Sequence, residues 1–151
     1  RRRHAEDGNH VGVTALTIAN SKVKLSFEVA LARGILANAL VCLAVWLAAS
    51  GRSVTDKVLA IVFPITAFVA AGFEHSIANM YFIPLGLLLS GNADVLQSAG
   101  LASDQVSRLN IPWFLHNLAA ATLGNILGGG LLVGLVYWFI YLRDAKKESA
   151  S

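Results

Sequence analysis

The sequence predicts an all-α integral membrane protein, and three observations carry that reading. Of its 151 residues, 56% are hydrophobic and 14% charged; a soluble domain of this size carries about a quarter of its residues as charges. The charges are clustered. None falls between Arg33 and Arg52, between Lys57 and Glu74, between Glu74 and Asp94, or between Arg108 and Arg143. Those gaps approach or exceed the ~20 mostly apolar residues that carry a helix across a bilayer.

Each segment follows from the same pattern. Residues 1–26 precede the first span and form an extramembrane segment. They begin with three arginines and lack the apolar stretch directly behind the charges that a signal peptide needs. The run Val11 to Ala19 is too short to cross, so it lies on the membrane surface or packs on the spans. The first span covers about 27–49 and ends in the polar turn "SGRSVTDK". The second covers about 58–89, which is too long and too interrupted for one helix. Pro64, Gly72, Pro84 and Gly86 punctuate it. A polar loop, "SGNADVLQSAGLASDQVSR", leads to the third span at about 112–142. Trp113 and the group Tyr137, Trp138 and Tyr141 stand near its ends, where aromatic belts belong. Residues 144–151 form a tail.

The net charge of +3 does not indicate a nucleic-acid partner, because the basic residues form no patch interleaved with aromatics. They sit at segment ends. Lys and Arg counts place the tail (Arg143, Lys146, Lys147) and the turn with Arg52 and Lys57 in the cytoplasm, and the loop with Arg108 outside. The basic N-terminal stretch conflicts with that orientation. The single Cys42 excludes an intrachain disulfide and reads as a packing residue. In the third span Gly124 and Gly128 are four apart, as are Gly130 and Gly134; small residues at this spacing let helices pack closely in lipid.

The stretch "GFEHSIANM" places Glu74, His75 and Asn79 inside the second apolar run. Ionisable groups at membrane depth are costly and mark functional sites. Unwound backbone there is tolerated where it is buried in protein or lines a wet cavity. The start of a half-helix after such a break is electropositive and suits an anion. Glu74 and His75 are adjacent and point in different directions. A carboxylate would repel an anion, so His75 is the pore-lining candidate and Glu74 turns inward toward a partner such as Asn79 or a lysine. The alternative for His75 is a core histidine satisfied by backbone. His4, His10, His75 and His116 share no local ligand spacing, so no metal site is expected. Neither Ser-His-Asp logic nor a phosphate-binding glycine loop is present, which argues against an enzyme.

"RGILANALVCLAVW" (33–46), "FVAAGFEHSIANM" (68–80) and "TLGNILGG" (122–129) together resemble the formate/nitrite transporter family. The resemblance runs from about Val11 to Arg143. It implies an aquaporin-like inverted-repeat channel subunit, of which this chain is the C-terminal half: spans four to six, with the middle one broken. It implies a homopentamer, a missing N-terminal half with spans one to three, and an inner (plasma) membrane location. The implied partners are the lipid bilayer, protons, and formate or a similar small monovalent anion; no cofactor is implied.

The same resemblance makes His75 the central pore histidine and Asn38 the asparagine beside it. It makes Val41 and Phe68 the apolar narrowings, and groups Lys22 with Glu74 and Asn79 in support of the broken helix. Ala37 stands where a cysteine is common in the family. The expected function is passage of formate with proton exchange at His75. The alternatives are nitrite or another small anion, or a non-conducting structural subunit.

Overall fold

A computed structural model describes residues 2–143. Arg1 and the expected cytoplasmic tail, with Lys146 and Lys147, lie outside the described residues. The described secondary structure is helical: α1 (Arg2–Val23), α2 (Phe27–Ser50), α3 (Val54–Ala70), α4 (Ser76–Leu89), α5 (Ala93–Ser98), a 3-10 turn (Ser103–Val106) and α6 (Ile111–Leu142). At about 1.5 Å per residue, α2 and α6 are roughly 36 and 48 Å long, enough to cross the ~30 Å hydrocarbon core.

The chain divides into two compact units. The first combines Arg1–Val29 with Ser76–Ala120. Here α1 packs on α4, so the apolar run at 11–19 has a helix to pack against. Leu16, Ala19 and Val23 of α1 are buried with Ile83 of α4. Gly86 makes the approach close: a methyl group there would overlap the side chain of Ala19. The loop before α6 is less open than its composition suggests. Asn92 caps α5 by accepting from the N–H groups of Asp94 and Val95, and Val95, Val106 and Leu109 join the core. A helix too short to announce itself by periodicity is thus set by one cap and one buried valine.

The second unit combines Ala30–His75 with Ala121–Ser151. Its α3 begins at Val54, inside what the sequence presents as a polar turn. The cause is a capping box: Ser53 Oγ accepts from the Asp56 N–H (3.1 Å), and the Asp56 carboxylate accepts from the Ser53 N–H (3.0 Å). Pro64 and Pro84 do not break the second span, since both lie inside helices. The break comes at Gly72. Its N–H bonds to the Val69 carbonyl and that of Phe73 to the Phe68 carbonyl, a Schellman end that requires a left-handed residue. Gly72 supplies it at φ 62°.

In the same unit α2 and α6 run parallel, with backbones almost touching. A Cβ on Gly34 would lie 2.9 Å from the Ala121 carbonyl oxygen. One on Gly124 would overlap the Leu31 carbonyl, and one on Gly128 the Ile35 carbonyl. Gly130 faces open space, and the nearest atom to a Cβ on Gly134 is α6's own Gly129 carbonyl; that second pair packs against no other helix. From Ile126 to Leu135, and again from Trp138 to Leu142, α6 takes wider π-helical turns.

Substitutions at the glycines should therefore differ in sign. Gly128→Val has no flexible neighbour to displace and should cost about 1–3 kcal/mol; Gly130→Ala should stabilise by about 0.5–1 kcal/mol. Thermal unfolding in detergent checks both.

Asp56 carries a pH signature. Backbone and side-chain hydrogen bonds from Ser53, then the Arg52 N–H, hold its carboxyl below the ordinary 3.8. Its contribution is complete above that ordinary value and fades as pH falls through the lower folded one. Asp56→Ala should lower the melting temperature at pH 7, and the difference should shrink as pH falls below the carboxyl's ordinary 3.8.

Candidate functional site

His75 sits at the end of the unwound stretch 71–75, immediately before α4. Its ring stands edge-on to Phe68 of α3, with centroids 6.0 Å apart and planes at 88°. Phe68 is one turn above the helix end, so the Schellman turn that stops α3 also aims the chain back past that ring. Both side chains are half-buried.

The backbone beside the imidazole is anchored. Asn125 of α6 donates through Nδ2 to the carbonyl of Glu74 (3.0 Å) and to that of Gly34 on α2 (2.9 Å). Carbonyls in an unwound segment have no helical partner, and one buried without a donor costs about 1–3 kcal/mol. Asn125 meets this need for the residue preceding His75. Asn38 of α2 completes the link, its Nδ2 donating to the backbone carbonyl of Asn125 (2.6 Å). Gly129 makes room for that side chain: a Cβ there would overlap the Asn38 amide. Val41 lies one turn beyond Asn38 on α2 and is half-buried.

Glu74 is 1% exposed, so the carboxylate-bearing residue is withdrawn while His75 keeps access. This unit thus holds His75, Phe68, Asn38, Val41 and Glu74 among the candidate residues, with Gly124 and Gly128 at the α2–α6 contact.

Asn79 and Lys22 belong to the first unit. Asn79 is fully buried on α4 and donates to Asn117 Oδ1 (2.7 Å). Asn117 donates in turn to the Lys22 carbonyl (3.0 Å) at the end of α1, which also accepts from the Leu25 N–H (3.3 Å). Asn117 and Asn125 are the residues that sequence reasoning passed over. The signal was present: both are amides in a stretch without a charge from Leu109 to Leu142. The rule that singled out Asn79 applies equally to them. Among the described residues, no three His, Cys, Asp or Glu side chains are grouped to hold a metal ion.

The sequence matches the family model of the formate/nitrite transporters over residues 3–139. The chain belongs to the formate/nitrite transporter family. It is 49% identical over 136 residues to the formate channel FocA of Escherichia coli, covering 88% of this chain and 48% of that protein. It is 42% identical over 132 residues to a probable formate transporter of Methanothermobacter thermautotrophicus, covering 84% of this chain and 41% of the relative. Among solved structures it resembles one described as a pentameric formate channel with formate bound. The TM-score is 0.80 at 43% identity, over 94% of this chain and 57% of that one. A second, an FNT family ion channel, gives a TM-score of 0.68 at 33% identity, covering 83% and 45%. The chain spans about half the length of the curated relatives it matches.

Removing the amide of Asn125 tests the anchor. Asn125→Leu removes the amide that reaches both carbonyls and should destabilise the protein by about 1–3 kcal/mol. Asn125→Asp, which places a carboxylate against the same two carbonyls, should be at least as damaging. Unfolding followed by tryptophan fluorescence measures both.

Proposed function

We propose that this chain forms half of a membrane channel for small monovalent anions, with formate the foremost substrate. The observation that carries the reading is His75. It is the ionisable side chain left half-exposed at a helix break, with its backbone anchored by Asn125 and its ring set against Phe68. Membership of a family whose relatives include formate channels supports it.

In this reading α2, the broken pair α3 and α4, and α6 cross an inner membrane in an aquaporin-like arrangement. The short turn after α2 and the tail face the cytoplasm. A complementary three-span half-repeat with its own broken helix completes the pore, and five such subunits assemble. Moving a formate ion bare through hydrocarbon is prohibitively costly. Phe68 and Val41 narrow the path and strip water. His75 donates a hydrogen bond to the carboxylate and, in this proposal, hands it a proton so that a neutral acid passes the narrowing. Asn38 orients the anion or the ring. Glu74 stays withdrawn, where it cannot repel the substrate. Lys22 and Asn79 brace the helix that follows the break through Asn117.

The test is formate uptake into liposomes between about pH 5 and 8, comparing the assembled protein with its His75→Ala variant. Uptake should rise several-fold toward acid pH, and the variant should lose that response. A variant with an unchanged pH profile would remove His75 from the mechanism. Absence of formate flux with passage of nitrite would keep the channel and change its substrate.

A further inference from the structure

Beyond the glycine contact, the parallel pair α2 and α6 changes character. Toward their C-terminal ends large side chains replace small ones, and a groove of about 150 Å³ opens between the helices. Leu43 and Trp46 line it from α2, and Leu132, Val136, Ile140 and Tyr141 from α6. It is smaller than the ~300 Å³ at which small-molecule pockets begin, and its lining is almost wholly apolar. Trp46 props the helices apart at one end. Its ring stands edge-on to Tyr137 at 6.2 Å and to Tyr141 at 6.3 Å. The walls stay accessible, with Leu132 52% and Ile140 58% exposed. The groove is therefore only partly enclosed.

The end marked by the aromatic cluster is also the basic end of this unit. Arg52 follows α2 by two residues, and Arg143 follows α6 directly. The Arg143 guanidinium lies 4.7 Å over the Phe139 ring, at the level of the last turn. Lys57 folds back over the end of α2, its Cγ 3.0 Å from where a Cβ on Gly51 would stand. The nearby carboxylate is Asp56, already engaged by the N–H groups of Arg52 and Ser53. Among the described residues at this end the cations are Arg52, Lys57 and Arg143, and the carboxylate is Asp56, which is occupied in a helix cap.

A partly enclosed apolar slot between two helices, with a tyrosine and tryptophan collar and cations beyond it, has the chemistry of one kind of partner. We infer that the groove between α2 and α6 holds an acyl chain of an anionic phospholipid, whose headgroup phosphate is met by Arg52, Lys57 and Arg143. This rests on the membrane reading above. Tryptophan and tyrosine favour the headgroup level of a bilayer, and basic clusters beside membrane helices select anionic headgroups. Charge complementarity is what separates this lipid from a zwitterionic one with the same chains.

The experiment is native mass spectrometry of the detergent-purified assembled protein, titrated with dioleoyl phosphatidylglycerol or dioleoyl phosphatidylcholine. One phosphatidylglycerol per protomer should be retained, with a preference over phosphatidylcholine of about tenfold. The double variant Arg52→Gln/Arg143→Gln should bring the ratio near one while leaving the melting temperature unchanged. Val136→Trp, which fills the slot, should reduce retention of both lipids. Equal retention of the two lipids by the unaltered protein overturns the inference, as does a preference that survives both variants. A Val136→Trp protein that changes its oligomeric state but not its lipid retention also overturns it, and gives the groove to a protein segment. The membrane reading fails separately: it falls if the protein is recovered in the aqueous fraction without detergent.

Discussion

One side-chain amide holds the second unit together. Asn125 reaches the carbonyl of Glu74 in the helix break and that of Gly34 on α2 from a single nitrogen. A helix can be interrupted at an apolar depth only if the exposed backbone groups find partners. Asn125 gives the unwound stretch ahead of His75 a donor for the Glu74 carbonyl, next to the imidazole. With it, the break becomes a fixed feature, and the ring beside Phe68 has a defined backbone beneath it. Asn38 closes the same link from the other side by donating to the Asn125 backbone.

That arrangement needs α2 and α6 to be closer than ordinary side chains allow. The glycines provide this. Gly34, Gly124 and Gly128 bring the two backbones into contact, and Gly129 leaves room for the Asn38 amide. In lipid there is little hydrophobic gain from pressing helices together, so close packing and interhelical hydrogen bonds carry the association. Glycine and asparagine act as a pair here: one permits the approach and the other uses it. The first unit repeats the logic with different partners. Gly86 admits Ala19, and Asn117 links Asn79 to the last carbonyls of α1.

Family membership and this geometry bear on each other. A channel for a small anion needs an ionisable donor that remains accessible and acids that do not. His75 is half-exposed while Glu74, its neighbour in sequence, is buried. The chain covers about half of relatives such as FocA, and in the proposed reading its one broken helix furnishes one wall of the path. A complementary half is therefore part of the proposed function.

The helical class, the apolar spans, the polar interruption at 74–79 and the tight glycines were legible in the residue order, because each is a local property. Charge spacing reports span length, an ionisable residue in an apolar run reports an exception to solvation, and Gly at four-residue spacing reports a helix face. Other features depended on distance in space. Of the four residues that punctuate the second span, Pro64, Pro84 and Gly86 lie within helices, whereas Gly72, beside the polar cluster, ends one through a left-handed turn. The loop after α4 reads as polar, yet places Val95, Val106 and Leu109 in a core. Gly130 has the same spacing as Gly124 but faces open space, since only a partner helix decides which glycines are used. The order of residues determined that polar groups stand within apolar runs. Tertiary structure decided which carbonyls they satisfy, because Asn125 is 51 and 91 positions from its two partners and no local pattern specifies such a pairing.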